Sequence, residues 1–488
     1  MNTNSSDQMD METDLSPTEC LEKNMLNPKE EVLKARDKNY YLRNEIMETI
    51  KENNDDDEDE KNFQNPIMDN EKEKKLLAHY DMLMFELRHQ FRVHSHFEKL
   101  CEDFRNKFVS SSFTTYIFHD SHYNEDYDEG YYHSERNDLK YVIDLCGPKL
   151  TCLDVTSYPD SQIMPLINNN CPNLKQLRLR FKRIESEDFE NVFSNMINLK
   201  GLRIQWECEN STLPMTLVES LEQVGGTLKY LFLRNNLKQN DISLPDSLTW
   251  IFPKLVALEE LCIFGFSLSQ PLLQSIGKIE NLVNLRLGPY PDNDYPVFDK
   301  NITMYPIGNL KTLKILRIGW NCGVTDEFLI NLCNNAKQLR NLSIIGTNIT
   351  DKGIIAFRKL KQLEYLDFCL LDLYSADVIE KKNEFITDKS IRSLCNKKLR
   401  KLDLSNCLEI TNRSVIELVE KAPRLKHLYI KNTKVTFEVV EEISDSMRHR
   451  KRPIFVFVSF KNRNGTFESL AESVNVHFVP PFEDSSIN

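Results

Sequence analysis

The chain has 488 residues and a mass of 57.2 kDa, enough to bury a sizeable core and to carry more than one structural unit. Its 62 Lys and Arg are outnumbered by 74 Asp and Glu, a net charge of −12 that argues against a general nucleic-acid binder, which needs a basic surface to displace counterions. The twelve cysteines include no Cys-x-x-Cys pair, so neither a zinc framework nor a small disulfide scaffold fits, and free thiols in a reducing compartment are expected.

Residues 1–70 are polar and acidic, with the like-charged block NNDDDEDE at 53–60, and are expected to be disordered. Within them, residues 29–52 space Leu42, Ile46 and Ile50 by four, as an isolated helix does. The opening residues lack a basic-then-apolar signal pattern, and no run of about 18 apolar residues is present to span a membrane. The expectation is a soluble cytoplasmic or nuclear protein without membrane association. The basic run RHRKR at 448–452 reads either as a nuclear signal or as a solvated face.

Residues 75–110 hold helical apolar spacing in two segments. Leu76, Tyr80, Leu83, Leu87 and Phe91 mark the first, and Val93, Phe97, Leu100, Phe104 and Phe108 the second. Residues 111–140 follow as a polar linker rich in His, Tyr, Asp and Glu. His94 and His96 are two apart, so on a helix they diverge, and no metal site is expected there.

Residues 141–460 repeat the pattern L-x-x-L-x-(aliphatic or aromatic) eleven times. It begins at Leu150-Leu153-Val155, Leu174-Leu177-Leu179, Leu199-Leu202-Ile204 and Leu228-Leu231-Leu233, and ends at Leu425-Leu428-Ile430, with successive starts 24 to 36 residues apart. Positions 4 and 6 alternate as on a strand. About ten residues later the spacing turns helical, as at Phe328-Leu329-Leu332 and Val415-Leu418-Val419. One unit cannot bury both faces, so neighbours must stack into a curved array with parallel strands on the concave face and helices outside. Thr325-Asp326, Thr350-Asp351, Thr387-Asp388 and Thr411-Asn412 recur at one place in the repeat. Thr there is positioned to cap the following helix, and Asp to place negative charge at its positive end. Ile454–Val458 reads as a last strand, and residues 461–488 as a terminal cap and tail in which Val474, Val476, Phe478 and Val479 form a strand covering the edge.

This pattern is the leucine-rich repeat, and Cys171-Pro172-Asn173-Leu174, together with Cys322, Cys333, Cys395 and Cys407, resembles its cysteine-containing subtype, in which the thiols are core packing residues. Upstream, Arg92-Val93-His94-Ser95-His96-Phe97-Glu98-Lys99-Leu100-Cys101 is similar to the second half of the F-box, with His94, Ser95 and His96 standing where that family has Cys-Lys-Arg. The order of an F-box before such repeats is common in the F-box/leucine-rich-repeat family. The resemblance implies the substrate-recognition subunit of an SCF-type E3 ubiquitin ligase. It would hold a Skp-type adaptor of the cullin–RING ligase through Leu83, Leu87, Val93, Phe97, Leu100 and Cys101, and a target through the solenoid. The alternative is a helical cap on a repeat scaffold or inhibitor that binds no adaptor.

Position 5 of the repeat reads Asp154, Arg178, Arg203, Phe232, Cys262, Arg286, Arg317, Ser343, Asp367, Asp403 and Tyr429 down the array, flanked by Gln176, Arg180, Tyr230, Arg234 and Phe264. A basic and aromatic strip fits an acidic or phosphorylated protein segment, since guanidinium forks pair with carboxylate or phosphate and aromatics supply anchor area. Arg178, Arg203, Tyr230, Phe232, Phe264, Arg286 and Arg317 are the expected partner-binding residues. The other reading is that these arginines stay solvated beside neighbouring acids. Two excursions, 289–306 and 370–385, are placed to add specificity at the rim. No phosphate loop, zinc helix or nucleophile elbow is present, so no catalysis and no cofactor are expected.

Overall fold

The computed structural model describes residues 115–118, 139–140, 142–144, 146–209, 211–237, 242–288, 302–319, 323–368, 382–448, 452–459 and 474–478. All belong to the compact unit His79–Asn488. The strands in chain order begin with β1 (Thr115–Ile117), β2 (Cys152–Asp154), β3 (Gln176–Phe181), β4 (Gly201–Trp206) and β5 (Tyr230–Asn235). There follow β6 (Glu260–Phe264), β7 (Asn284–Gly288), β8 (Ile315–Ile318), β9 (Asn341–Ile344), β10 (Tyr365–Asp367) and β11 (Asn383–Thr387). The last are β12 (Lys401–Asp403), β13 (Cys407–Glu409), β14 (His427–Ile430), β15 (Ile454–Val458) and β16 (Val474–Phe478). Fourteen of them form one parallel sheet whose spatial order is the chain order, while β11 and β13 pair separately.

The sheet is held in register by the repeated leucines. Leu153, Leu177, Leu202, Leu231, Leu261, Leu285, Leu316, Leu342, Leu366, Leu402 and Leu428 lie in one row across the paired strands, and each is at most 1 % exposed. A slip of one residue would turn this row to solvent, so burial of roughly 1.5–3 kcal/mol per leucine selects the register. Their neighbours on either side point to the other face, as the alternation of buried and half-buried residues along β3 shows.

Behind the sheet the chain returns through helices where the sequence permits them. Asp326–Asn335 and Asn412–Lys421 bury Phe328, Leu329 and Leu332, and Val415, Leu418 and Val419, at the spacing expected. Elsewhere the return is a short 3-10 helix, as at Phe252–Lys254 and Tyr305–Asn309, where Pro253 and Pro306 occupy first-turn positions that a proline tolerates. Between the layers, Phe181 meets Phe189 and Trp206 edge-on at 5.3 and 6.2 Å, and the Trp206 indole N–H donates to the Ser211 carbonyl at 2.9 Å.

The sheet is longer than eleven repeats. Thr115–Ile117, within the stretch read as a polar linker, pairs with β2 ahead of the first leucine pattern. At the other end β15 and β16 continue the same parallel register, so Val474–Phe478 extends the sheet and becomes its edge. Of the 370–385 excursion, the last residues open β11. Tyr305, read as a rim residue, instead begins a turn on the helical side, where its carbonyl accepts from Asn331 at 3.0 Å. The F-box-like segment and residues 1–70 lie outside the described residues.

Candidate functional site

Position 5 forms a single file across the sheet, through Asp154, Arg178, Arg203, Phe232, Cys262, Arg286, Arg317, Ser343, Asp367, Asp403 and Tyr429, and on to Phe457 and His477. All seven expected partner-binding residues therefore stand on the face opposite the helices. Tyr230 is at position 3, beside the file, and Phe264 at position 7, paired with Gly288. Leu83, Leu87, Val93, Phe97, Leu100 and Cys101 lie outside the described residues.

The arginines are not equivalent. Arg178 donates to Asp154 at 3.3 Å, and Asp154 also accepts from the Thr156 hydroxyl and N–H. Arg180 donates to Glu207 at 2.8 Å, and Asn236 donates to the same carboxylate at 2.8 Å. Burial pushes the Glu207 carboxyl up, but these two hydrogen bonds and the Arg180 charge outweigh it and hold the group below its ordinary range. Arg178 and Arg180 thus brace neighbouring strands. Arg286 donates from Nε to Asn284 at 3.3 Å and lies near Glu260, whose carboxyl is pushed up by burial against the pull of that arginine. Arg317 is exposed.

Arg203 differs again. Its guanidinium carbon lies 4.0 Å from the centre of the Phe232 ring, which is itself 7 % exposed and packed by Tyr230 at 6.4 Å and Phe264 at 5.7 Å. Phe232 is therefore a floor beneath Arg203 and offers a partner little surface of its own. Burial, with repulsion from Arg178 and Arg234, lowers the Arg203 pKa against the pull of Tyr230 and Asp154. Burial likewise raises the Tyr230 hydroxyl, which stays a neutral donor. Cys262, the next residue in file, is 4 % exposed, and burial pushes its thiol up to about 12.

Toward the C-terminus the face changes character. Asp367 and Asp403 are register partners, and beyond them an aromatic ladder begins. Tyr429 stacks on Phe457 at 4.2 Å, Phe457 on His477 at 4.7 Å, and His427 on Phe455 at 5.3 Å. Lys401 reaches over Tyr429 at 5.0 Å. Of this ladder, sequence reading placed only Tyr429 in the file. The signal for the rest was the alternation in Ile454–Val458, which carries Phe455 and Phe457 on the open face without any leading leucine.

Together, the parallel strands in chain order, the leucine row and the outer helices define a leucine-rich-repeat solenoid whose open face is lined by polar and aromatic side chains. No protein-family model matches the chain, and no curated protein matches it. Among solved structures, an internalin from Listeria monocytogenes is similar at 17% identity over 63% of this chain and 76% of that one, with a TM-score of 0.38. A chain from the Rad7 and Elc1 complex in yeast is similar at 17% identity over 79% of this chain and 98% of that one, TM-score 0.38. A leucine-rich-repeat protein of Leptospira interrogans is similar at 19% identity over 66% of this chain and 80% of that one, TM-score 0.38. The class assignment rests on the register and packing described above.

Proposed function

We propose that this chain recognises a protein partner on the open face of its sheet and is itself non-catalytic. The observation that carries the reading is the file from Arg178 to Arg317, which sets charged and aromatic groups at strand spacing along a rigid sheet in an otherwise acidic protein. A rigid row of such groups suits an extended segment laid across the strands, and its partner is acidic or phosphorylated.

The finer role is substrate recognition in an SCF-type E3 ubiquitin ligase. What supports it is the resemblance of Val93, Phe97, Leu100 and Cys101 to an F-box, together with the place of that segment ahead of the repeats. In this role the chain contributes proximity, holding a target lysine near a ubiquitin-loaded enzyme.

The test is co-purification with the Skp adaptor, comparing the intact chain with one lacking residues 75–110. Adaptor binding lost on deletion is the expected result. A folded intact chain that binds no adaptor overturns the ligase role and leaves a repeat scaffold or inhibitor.

A further inference from the structure

We propose that Arg203, placed over the Phe232 ring between Arg178 and Arg234, is an anion subsite that takes one carboxylate- or phosphate-bearing side chain of an extended partner segment. The assignment rests on the open face being the recognition surface.

Register brings the groups together. Arg178, Arg203 and Phe232 are consecutive partners on β3, β4 and β5, and Arg234 follows Phe232 on the same face of β5. Parallel strands about 4.8 Å apart thus concentrate three guanidinium groups within one small area of the sheet. Asp154, the carboxylate whose charge acts on Arg203, is committed to Arg178 and to Thr156. Among the described residues, Arg203 has no carboxylate in ion-pair contact, and its Nε, shielded from solvent, has no hydrogen-bond partner.

A buried donor without a partner is costly to keep, and folding normally removes it. Here the position is held by the ring: the guanidinium carbon lies 4.0 Å over the centre of Phe232, and cation–π attraction offsets part of the lost hydration. A guanidinium held against a ring keeps its N–H edge for hydrogen bonding, and the groups that match that fork are two oxygens of one carboxylate or phosphate. Arg178 and Arg234 add field without needing to touch the ligand. The positive charge of Arg178 and Arg234, which acts with burial against the Arg203 charge, favours an arriving anion. Glu260 on β6 and Glu207 beyond β4 bound the area with negative charge, so the subsite takes one anion rather than a run of them.

The experiment uses the purified full chain, immobilised, and three pools of nine-residue peptides with degenerate flanks. The central residue is fixed as phosphoserine, Glu or Gln. The parent should retain the phosphoserine pool, the Glu pool or both about tenfold over the Gln pool, the worth of one charge-assisted pair. Retention of phosphoserine alone assigns a phosphate, and equal retention of Glu assigns a carboxylate.

Arg203→Gln should abolish the preference. Arg203→Lys, which keeps the charge and loses the fork, should leave a reduced one. Lys352→Gln on the helical side should match the parent. Circular dichroism confirms that each variant is folded. A parent that retains peptides without regard to the central anion, or an Arg203→Gln variant with the parent's preference, overturns the subsite while the recognition surface stands. A folded parent that retains no pool overturns both.

Discussion

Asp326 and Thr350, one repeat apart, are joined twice: the Asp326 carboxylate accepts from the Thr350 hydroxyl at 2.6 Å and from its backbone N–H at 2.9 Å. The relation repeats between Asp351 and Thr387 and between Asp388 and Thr411, and Asn412 continues it to Thr436. Thr350 and Thr387 in turn cap their own helices, while the Thr411 side chain makes no cap bond. The acid expected to serve its own helix therefore also ties each repeat to the next.

Asp326→Ala should cost about 2–3 kcal/mol, because it strands the N–H and hydroxyl of Thr350 and takes from the Gly353 N–H one of its two acceptors. Thr350→Val, which keeps the backbone bond, should cost about 1 kcal/mol. Urea unfolding monitored by circular dichroism measures both. Equal costs would show that the carboxylate does no bridging.

Asn383 is fully buried, donates to the carbonyls of Gly346 and Ile349, and accepts from the N–H groups of Phe385 and Ile386 at 2.8 Å each. Its amide closes both β11 and the preceding turn. Asn383→Ala should cost about 3 kcal/mol, and Asn383→Asp at least as much, since the carboxylate cannot donate to two carbonyls. Thermal unfolding of the two variants tests this; a milder Asp substitution would contradict the donor role.

Burial, then repulsion from Asp367, pushes the Asp403 carboxyl up to about 6, against hydrogen bonds from Ser405. The folded value lies above that of the unfolded chain, about 3.9, so the folded state holds a proton across that window. The resulting stabilisation is complete below about pH 4 and lost as pH rises through about 6. Asp403→Asn keeps an acceptor for the Ser405 N–H and removes the charge. It should be more stable than the parent at pH 7.5 by about 1–2 kcal/mol, measured by thermal unfolding, and match it at pH 4. A pH-independent difference would dismiss the pair.

Burial pushes the thiols of Cys171, Cys208 and Cys333 up to about 12, as at Cys262, and Cys407 is raised further. A thiol that stays protonated and covered is a poor nucleophile. Alkylation of the folded chain at pH 8, mapped by mass spectrometry, should leave these five unmodified and label them all in denaturant. Labelling of Cys262 at the rate of an open thiol would show that the face is looser than described.

The sheet was legible because its signal is dense and local: eleven leucine patterns fix strand, face and neighbour at once, and alternation then places Arg178, Arg203, Arg286 and Arg317 in one file. Strand β1 was missed, because Thr115–Ile117 carries no leading leucine and acquires its place only by pairing with a repeat already formed, whereas β15 and β16 were read from their own alternation. The same limit divided the arginines. Equal in sequence, they are separated by distances of an ångström or two across strands 24 or more residues apart in the chain. Arg178 finds Asp154, Arg180 finds Glu207, and Arg203 finds only the face of Phe232. Periodicity determines which face a side chain joins. Its partner there depends on register, side-chain reach and burial together, and those exist only once the repeats have stacked.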